Sequence, residues 1–486
     1  MPIHLQLEKL NISRSHMTFL LPFGFDQMKR RETIDNLVEN GYTYFQIDEA
    51  AMNEDNLYGY GIEVVGRELE QYFYPYIEHK LFPGSHELKG FHRFTALIHE
   101  DHSMQLRGTQ YDFHIRSIDI ILGPFGIAFL ALRVDMENNS ADLSDVLDFI
   151  QHFRAVEQNL KENEGAMIII PETGHTFSIR DYIFKQLCPF INKTVLHEKK
   201  LKGHFGSLPY FEDERMFVSS FHITETGASI SEEHLFRVGN VNGKGPDGTP
   251  FISSTNPDYI LRSLMESLHD RWAPHLYMIA TEHGFSVISN RPAEELTNEL
   301  SQYMGTHYYN LLLHYFYKVM LLRVSFEYSE IEWKKDEYYV RSLIQLINVF
   351  SSWYYFKEIS TRSEGKELSE MFRRIFHIDP LFNEVNQTLQ ELYKSQENSQ
   401  VGRVNMLLFI LTIFTVVSGI YGMNLVIPDW ESPSGWKAYS SYTVFEWISL
   451  ITAVTGIGLS TYLILSTFGR LIVRRRRGNK LNMYDQ

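Results

Sequence analysis

VNMLLFILTIFTVVSGIYGMN, residues 404–424, contains no charged side chain. A second run without charge follows at residues 447–469. A helix needs about 20 consecutive apolar residues to cross the hydrocarbon core of a bilayer. Both runs reach this length, so the sequence predicts transmembrane helices at residues 404–424 and 446–469, joined by an external loop at residues 425–445.

The charges around these runs predict their orientation. Arg470 and Arg474 to Arg477 follow the second run, whereas the loop between the runs holds Lys437 beside Asp429 and Glu431. Because cytoplasmic segments carry an excess of Lys and Arg, residues 470–486 are predicted to be a cytosolic basic tail. Two spans then place the N-terminal region on the same side. The predicted location is the plasma membrane, crossed twice, with both termini in the cytoplasm.

The residues before the first run predict two kinds of soluble structure. Residues 1–293 alternate β-rich and helical segments, which indicates an α/β or α+β cytosolic domain. Its predicted strands cover residues 17–21, 94–98, 113–122, 127–134, 216–221, 276–279 and 285–288, and a helix is predicted at residues 143–160 with Ser144 or Asp145 as its cap.

Long helices are predicted for residues 294–403. The first two cover residues 294–331 and 336–360. The third begins at Pro380, a favourable first-turn residue, and continues into the first apolar run as a stalk. Gly402 alone interrupts this stalk, at a cost of about 1 kcal/mol that does not have to break the helix.

The overall charge limits the classes of partner. The formal net charge is −15 at pH 7, although the last 17 residues are basic. An acidic surface opposes nucleic acid, since phosphate binding requires a cationic one. It favours attraction of cations, although a charge that only solubilises the domain explains it equally well. Cys188 is the only cysteine, so no intramolecular disulfide is possible.

The end of the first run carries a motif. Tyr421-Gly422-Met423-Asn424 resembles the signature of the CorA family of divalent cation transporters. The resemblance covers about the last 90 residues, and the order of an acidic domain, a long helix, two apolar runs and a basic tail agrees with it. It implies a homopentamer in the lipid bilayer, with the first span of each copy around a pore.

The resemblance also implies roles for individual residues. Gly422, Met423 and Asn424 would form the selectivity filter, and the amide oxygen of Asn424 would hold a hydrated ion through its water shell. Magnesium suits such outer-sphere binding because it dehydrates reluctantly. Outside the filter, Asp429 and Glu431 would attract cations, or would only be solvated.

The spacing of small and neutral polar residues predicts the wall of this pore. Thr412, Thr415 and Gly419 fall on roughly one face of the helix. The alternative is that the two threonine hydroxyls return hydrogen bonds to their own helix.

The predicted function is passive movement of Mg²⁺, with Co²⁺ or Ni²⁺ as further cargo, through a channel regulated by Mg²⁺ bound to cytosolic acidic groups between subunits. A zinc transporter of the ZntB type, or a membrane-anchored metal sensor or scaffold that does not conduct, remains as an alternative. Two features depart from the family pattern: the loop reads Leu-Val-Ile-Pro-Asp at residues 425–429, and the first span lacks a proline.

No catalytic residue is predicted. The ligand-type residues of His99 to His102 lack the spacing of a zinc protease, and Gly239 to Lys244 is one residue short of a phosphate-binding loop. The sequence therefore predicts that the chain is not an enzyme.

Overall fold

A computed structural model describes residues 7–46, 57–59, 62–84, 87, 89–156, 165–171, 174–194, 215–329 and 337–423, together with 443–444, 447–448, 450–451, 454–455 and 458. The chain divides into two compact units. One consists of residues 1–331 and 345–386, and the other of residues 332–344 and 387–486.

A mixed sheet of eleven strands forms the centre of the first unit. The strands are β1 (Asn11–Gly24), β2 (Thr43–Tyr44), β3 (His92–Leu106), β4 (Thr109–Leu122), β5 (Ile127–Asp142), β6 (Met167–Ile169), β7 (Thr176–Ser178), β8 (Phe217–Thr224), β9 (Leu268–His269), β10 (Leu276–Ala280) and β11 (Gly284–Ser289). Their order is β7-β6-β3-β4-β5-β1-β8-β11-β10-β9, with β2 beside β3. All pairs are antiparallel except β8 and β11, which are parallel. Each predicted strand is present, and most are longer than predicted.

The helices described are α1 (Arg30–Glu39), α2 (Gly66–Tyr72), α3 (Pro75–Leu81), α4 (Leu143–Phe153), α5 (Ile179–Asp181), α6 (Ile191–Thr194), α7 (Glu232–Gly239), α8 (Pro257–Ser267), α9 (Thr297–Gln302), α10 (Tyr308–Ser329), α11 (Glu337–Trp353), α12 (Ser363–Ile375) and α13 (Ile378–Met423). Two π-helical turns, Tyr182–Leu187 and Tyr303–His307, continue α5 and join α9 to α10. Short 3₁₀ turns occupy Gln27–Lys29, Pro124–Gly126 and Ala293–Glu295.

Strand β1 is buried on both faces because helices cover each side of the sheet. On one face, Phe19 packs against Phe153 of α4, with the ring centroids 4.7 Å apart. The predicted cap of α4 is wrong: its N-cap residue is Asp142, and no side chain makes the capping hydrogen bond.

The opposite face of the sheet is covered by α10 and α12. The ring of Tyr315 of α10 is tilted against those of Phe129 and Phe217, at centroid distances of 5.8 and 5.1 Å. Phe372 of α12 meets Phe285 edge to face at 5.2 Å. Such aromatic pairs add about 0.5–1.5 kcal/mol each beyond the apolar area that they bury.

The three predicted long helices correspond to α10, α11 and α13. The last has 46 residues and begins at Ile378, two residues before the predicted start. At 1.5 Å per residue, a helix of this length is about 69 Å long. Gly402 lies within it, so the glycine does not break the helix.

The predicted pair of transmembrane helices is wrong. Within the described parts of the chain, no helix combines the length and the apolar character needed to cross a membrane. Of the second predicted span, only isolated residues are described.

This correction extends to the predictions that depended on the spans. The multi-pass location in the plasma membrane and the description of the chain as a transmembrane channel are contradicted by the same finding. What the structure has is a mixed, sheet-rich α/β fold with a long helix toward the C-terminal end.

Candidate functional site

The predicted wall residues Thr412, Thr415 and Gly419 all lie in α13. Thr412 Oγ1 donates a hydrogen bond to the carbonyl oxygen of Leu408, and Thr415 Oγ1 donates one to Leu411, both across 2.8 Å. The three residues are exposed, and a Cβ atom added at Gly419 would meet nothing within 4 Å. One helix therefore presents them together, with both hydroxyl protons used internally.

The predicted filter lies at the end of the same helix. Gly422 and Met423 are helical in backbone, and Met423 is the last residue of α13. Asn424, Asp429 and Glu431 lie outside the described residues.

A buried ionic cluster lies beneath the helices that cover the sheet, and its centre is Asp119 of β4. Arg133 Nη1 contacts one carboxylate oxygen of Asp119, and Arg93 Nε lies 3.2 Å from the other. Thr95 Oγ1 donates a further hydrogen bond across 2.7 Å. Burial would raise the pKa of Asp119, but the guanidinium groups of Arg133 and Arg93 outweigh it and hold the pKa below its ordinary value.

A second buried carboxylate is Asp135 of β5, which is 3% exposed. His16 Nδ1 is 2.8 Å from Asp135 Oδ1, and Arg116 Nε contacts the other oxygen. Burial opposes the charge on Asp135, yet His16 and Arg116 together hold its pKa below the ordinary value. The anionic Asp135 of β5 thus fixes the positions of His16 on β1 and Arg116 on β4, the two strands that flank β5.

An open polar cleft of about 710 Å³ adjoins Asp135 and Arg116 on β3, β4 and β5. Its other acidic residues each have a partner. His114 Nδ1 lies 2.8 Å from Asp101, Gln110 donates to Asp112 at 2.8 Å, and Arg14 contacts Glu137 at 3.0 Å. The cleft is rich in oxygen atoms, which Mg²⁺ prefers as ligands. However, its carboxylates are already engaged by neighbouring side chains.

The described residues of a single chain do not form a ready metal site. Within them, no group of three or more His, Cys, Asp or Glu side chains is arranged to hold a metal ion. Acidic residues near the start of α13 are also occupied: Asp379 pairs with Arg373, and Glu367 with His269 and Arg271. The described part of one copy therefore contains no identified regulatory Mg²⁺ site.

Sequence reasoning missed the two buried carboxylates. Asp119 and Asp135 interrupt apolar strands, and a charged residue inside such a run is the available signal, since buried charges require partners. Their partners are not adjacent in sequence and depend on strand register, which places His16 opposite Asp135.

Comparison with known proteins provides no assignment. No protein-family model, curated protein or solved structure matches this chain.

Proposed function

We propose that the chain transports divalent cations, with Mg²⁺ as its main cargo, as one copy in a homopentamer of the kind that its resemblance to the CorA family implies. The observation that carries the proposal is the continuity of α13, which runs without a break through Thr412, Thr415 and Gly419 to Gly422 and Met423. The motif thus stands at the end of one long helix, where a ring of copies would bring five motifs together.

The exposed surface of α13 supports assembly. Met406, Leu407, Leu408 and Phe409 are consecutive, and their exposed fractions are 66, 45, 54 and 67%. Successive residues of a helix point 100° apart, so no side of this segment is covered in a single copy. A helix that is apolar all round requires burial against other structure. Packing of α13 from several copies would supply part of that cover.

The charge of the protein suits a cation cargo. A net charge of −15 attracts cations and raises their concentration near the protein. Regulation by Mg²⁺ would require carboxylates from adjacent copies, because the described residues of one copy contain no group of three or more His, Cys, Asp or Glu side chains that could hold a metal ion.

Uptake measurements in cells that lack their own Mg²⁺ transport test the proposal. Cells that produce the wild-type chain should accumulate Mg²⁺, and Asn424→Ala should reduce uptake at least tenfold. Asn383→Ala removes the same amide from an exposed position of α13 and is the matched control, with uptake unchanged. Equal Mg²⁺ uptake by the two variants would show that Asn424 takes no part in transport.

Two alternatives have distinct outcomes in the same system. For a zinc transporter of the ZntB type, Zn²⁺ would be taken up in preference to Mg²⁺ when the two compete. For a metal sensor or scaffold, neither ion would be taken up, although the purified protein would change its protease resistance when Mg²⁺ is added.

A further inference from the structure

A second cleft, of about 480 Å³, lies on the face of the sheet that α10 and α12 cover. It is separate from α13. Its floor consists of buried apolar side chains from β8, β10 and β11, among them Phe221, Met278 and Val287. Trp272 is 51% exposed and forms one wall. A volume of this size with an apolar floor and a few polar groups is typical of small-molecule sites.

Two of the charged groups that line the cleft are neutralised by neighbours. Glu299 forms an ion pair with Arg291. Arg271 Nη1 lies 3.2 Å from Glu367 and donates to the hydroxyl of Ser363 at the same distance. These side chains do not require a ligand to balance their charge.

Arg362 and Glu364 differ from them. Both line the cleft at the start of α12, where Arg362 is the N-cap residue and its side chain makes no capping hydrogen bond. No ion pair joins Arg362 to any carboxylate among the described residues, Glu364 included. The first N–H groups of a helix also lack acceptors within it, which adds to the positive character at Arg362.

Neither of the two polar contacts recorded for the Glu364 carboxylate is with a charged side chain. Trp272 Nε1 lies 3.4 Å from its carboxylate, and His307 Nε2 lies 3.7 Å away. Burial and the nearby His269 lower the pKa of His307 to about 3, so the imidazole is neutral at pH 7. The negative charge of Glu364 is therefore not balanced by a side chain, and its own carboxylate is mostly shielded from water, with 19% of the side chain exposed.

His307 adds a buried polar side chain to the wall of the cleft. It is 2% exposed, lines the cleft, and its Nδ1 has no hydrogen-bond partner in the described structure. It also ends the π-helical turn Tyr303–His307. Buried polar atoms without partners are rare, and π-helical turns are frequent at functional sites.

From these contacts we infer that the cleft binds a small zwitterion, a free α-amino acid with a large apolar side chain. Its carboxylate contacts Arg362 and the first N–H groups of α12, and its ammonium contacts Glu364. The side chain of the ligand lies against Trp272 and the apolar floor. This assignment does not depend on cation transport, because the cleft and α13 are different parts of the chain.

Calorimetric titration of the full chain tests the inference with three related probes. L-phenylalanine carries both charges, 3-phenylpropionate lacks the ammonium group, and phenethylamine lacks the carboxylate. We expect saturable binding of L-phenylalanine, one per chain, and binding about tenfold weaker for each of the other two, since each loses a charged hydrogen bond.

Two variants test which residue binds the ammonium group of the ligand and which binds its carboxylate. Glu364→Gln should weaken L-phenylalanine about tenfold and leave 3-phenylpropionate unchanged, whereas Arg362→Gln should weaken L-phenylalanine and leave phenethylamine unchanged. The probe that keeps its affinity shows that each variant is folded. Glu370→Gln, on the exposed part of α12, is the control and should bind like the wild type.

Trp272→Ala should weaken all three probes, and Trp353→Ala, which removes a tryptophan of similar exposure outside the cleft, should weaken none. Absence of saturable L-phenylalanine binding to the wild-type chain would overturn the inference. Equal affinity for the three probes, or an unchanged affinity in Glu364→Gln, would overturn it as well.

Discussion

Thr412 donates its hydroxyl proton to the carbonyl oxygen of Leu408, one turn earlier in α13, across 2.8 Å. Thr415 makes the same contact with Leu411. This is the arrangement expected if the hydroxyls serve their own helix, and it leaves oxygen lone pairs, but no protons, for other contacts. A role of these threonines in lining a cation path stays a prediction.

Replacing both hydroxyls separates the two roles. In Thr412→Val with Thr415→Val, the side-chain shape is kept and only the internal hydrogen bonds are lost. We expect Mg²⁺ uptake within about twofold of the wild type, because bonds of this kind add little to helix stability. Uptake is measured beside Asn424→Ala as the inactive reference. A loss of tenfold or more would assign the hydroxyl oxygens to the cation path.

The buried carboxylate of Asp119 is expected to contribute strongly to the free energy of unfolding. Asp119→Asn leaves Arg93 and Arg133 buried without a counter-charge, and breaking a buried pair in this way costs about 3–5 kcal/mol. Urea unfolding followed by circular dichroism measures the difference. Asp112→Asn, on the same strand but exposed, should change the free energy of unfolding by less than about 0.5 kcal/mol. Similar losses in both variants would contradict the assigned role of the buried cluster.

Periodicity predicted the strands because their apolar residues alternate or run continuously. It could not predict which strands are neighbours, and the ionic cluster depends on that order. Asp119 and Arg133 approach each other only because β4 and β5 pair with Ser117 opposite Arg133.

Helix α12 was missed for a related reason. Its residues are largely polar, and its apolar members, Leu368, Met371 and Phe372, become recognisable as a buried face only once the helix is placed. The transmembrane helices were predicted wrongly for a different reason. The apolar runs at residues 404–424 and 447–469 and the charges beside them are typical of membrane spans, whereas no helix among the described residues is long and apolar enough to cross a membrane.

Buried histidines predict a loss of stability in acid. Burial and the nearby His16 lower the pKa of His222 to about 3, whereas an unfolded histidine titrates near about 6.5. Between these values the unfolded chain binds a proton that the folded chain does not. The stabilisation is therefore complete above about pH 6.5 and is lost as the pH falls, by about 1.4 kcal/mol per pH unit for each such histidine.

His222→Gln tests this dependence, because glutamine can still hydrogen bond with Ser15 and Ser220. Unfolding by urea between pH 7 and 4.5 should show a slope against pH that is smaller by about 1.4 kcal/mol per unit. His377→Gln replaces a histidine whose side chain is 66% exposed and should leave the slope unchanged. An identical slope in His222→Gln and the wild type would show that His222 does not stay neutral in the fold.

Two glycines are expected to respond in opposite directions to the same substitution. A Cβ atom at Gly365 would lie 2.2 Å from Ser360 Oγ and 2.7 Å from the ring of Tyr72. Both neighbours are buried, so they cannot move aside freely, and Gly365→Ala should cost about 1–3 kcal/mol.

At Gly402, in the interior of α13, a Cβ atom would meet nothing within 4 Å. Gly402→Ala should therefore stabilise the helix by up to about 1 kcal/mol, since glycine is the poorer helix former. Thermal unfolding of the two variants decides between these outcomes, and a higher melting temperature for Gly365→Ala would mean that α12 does not pack against Tyr72 as closely as the structure places it.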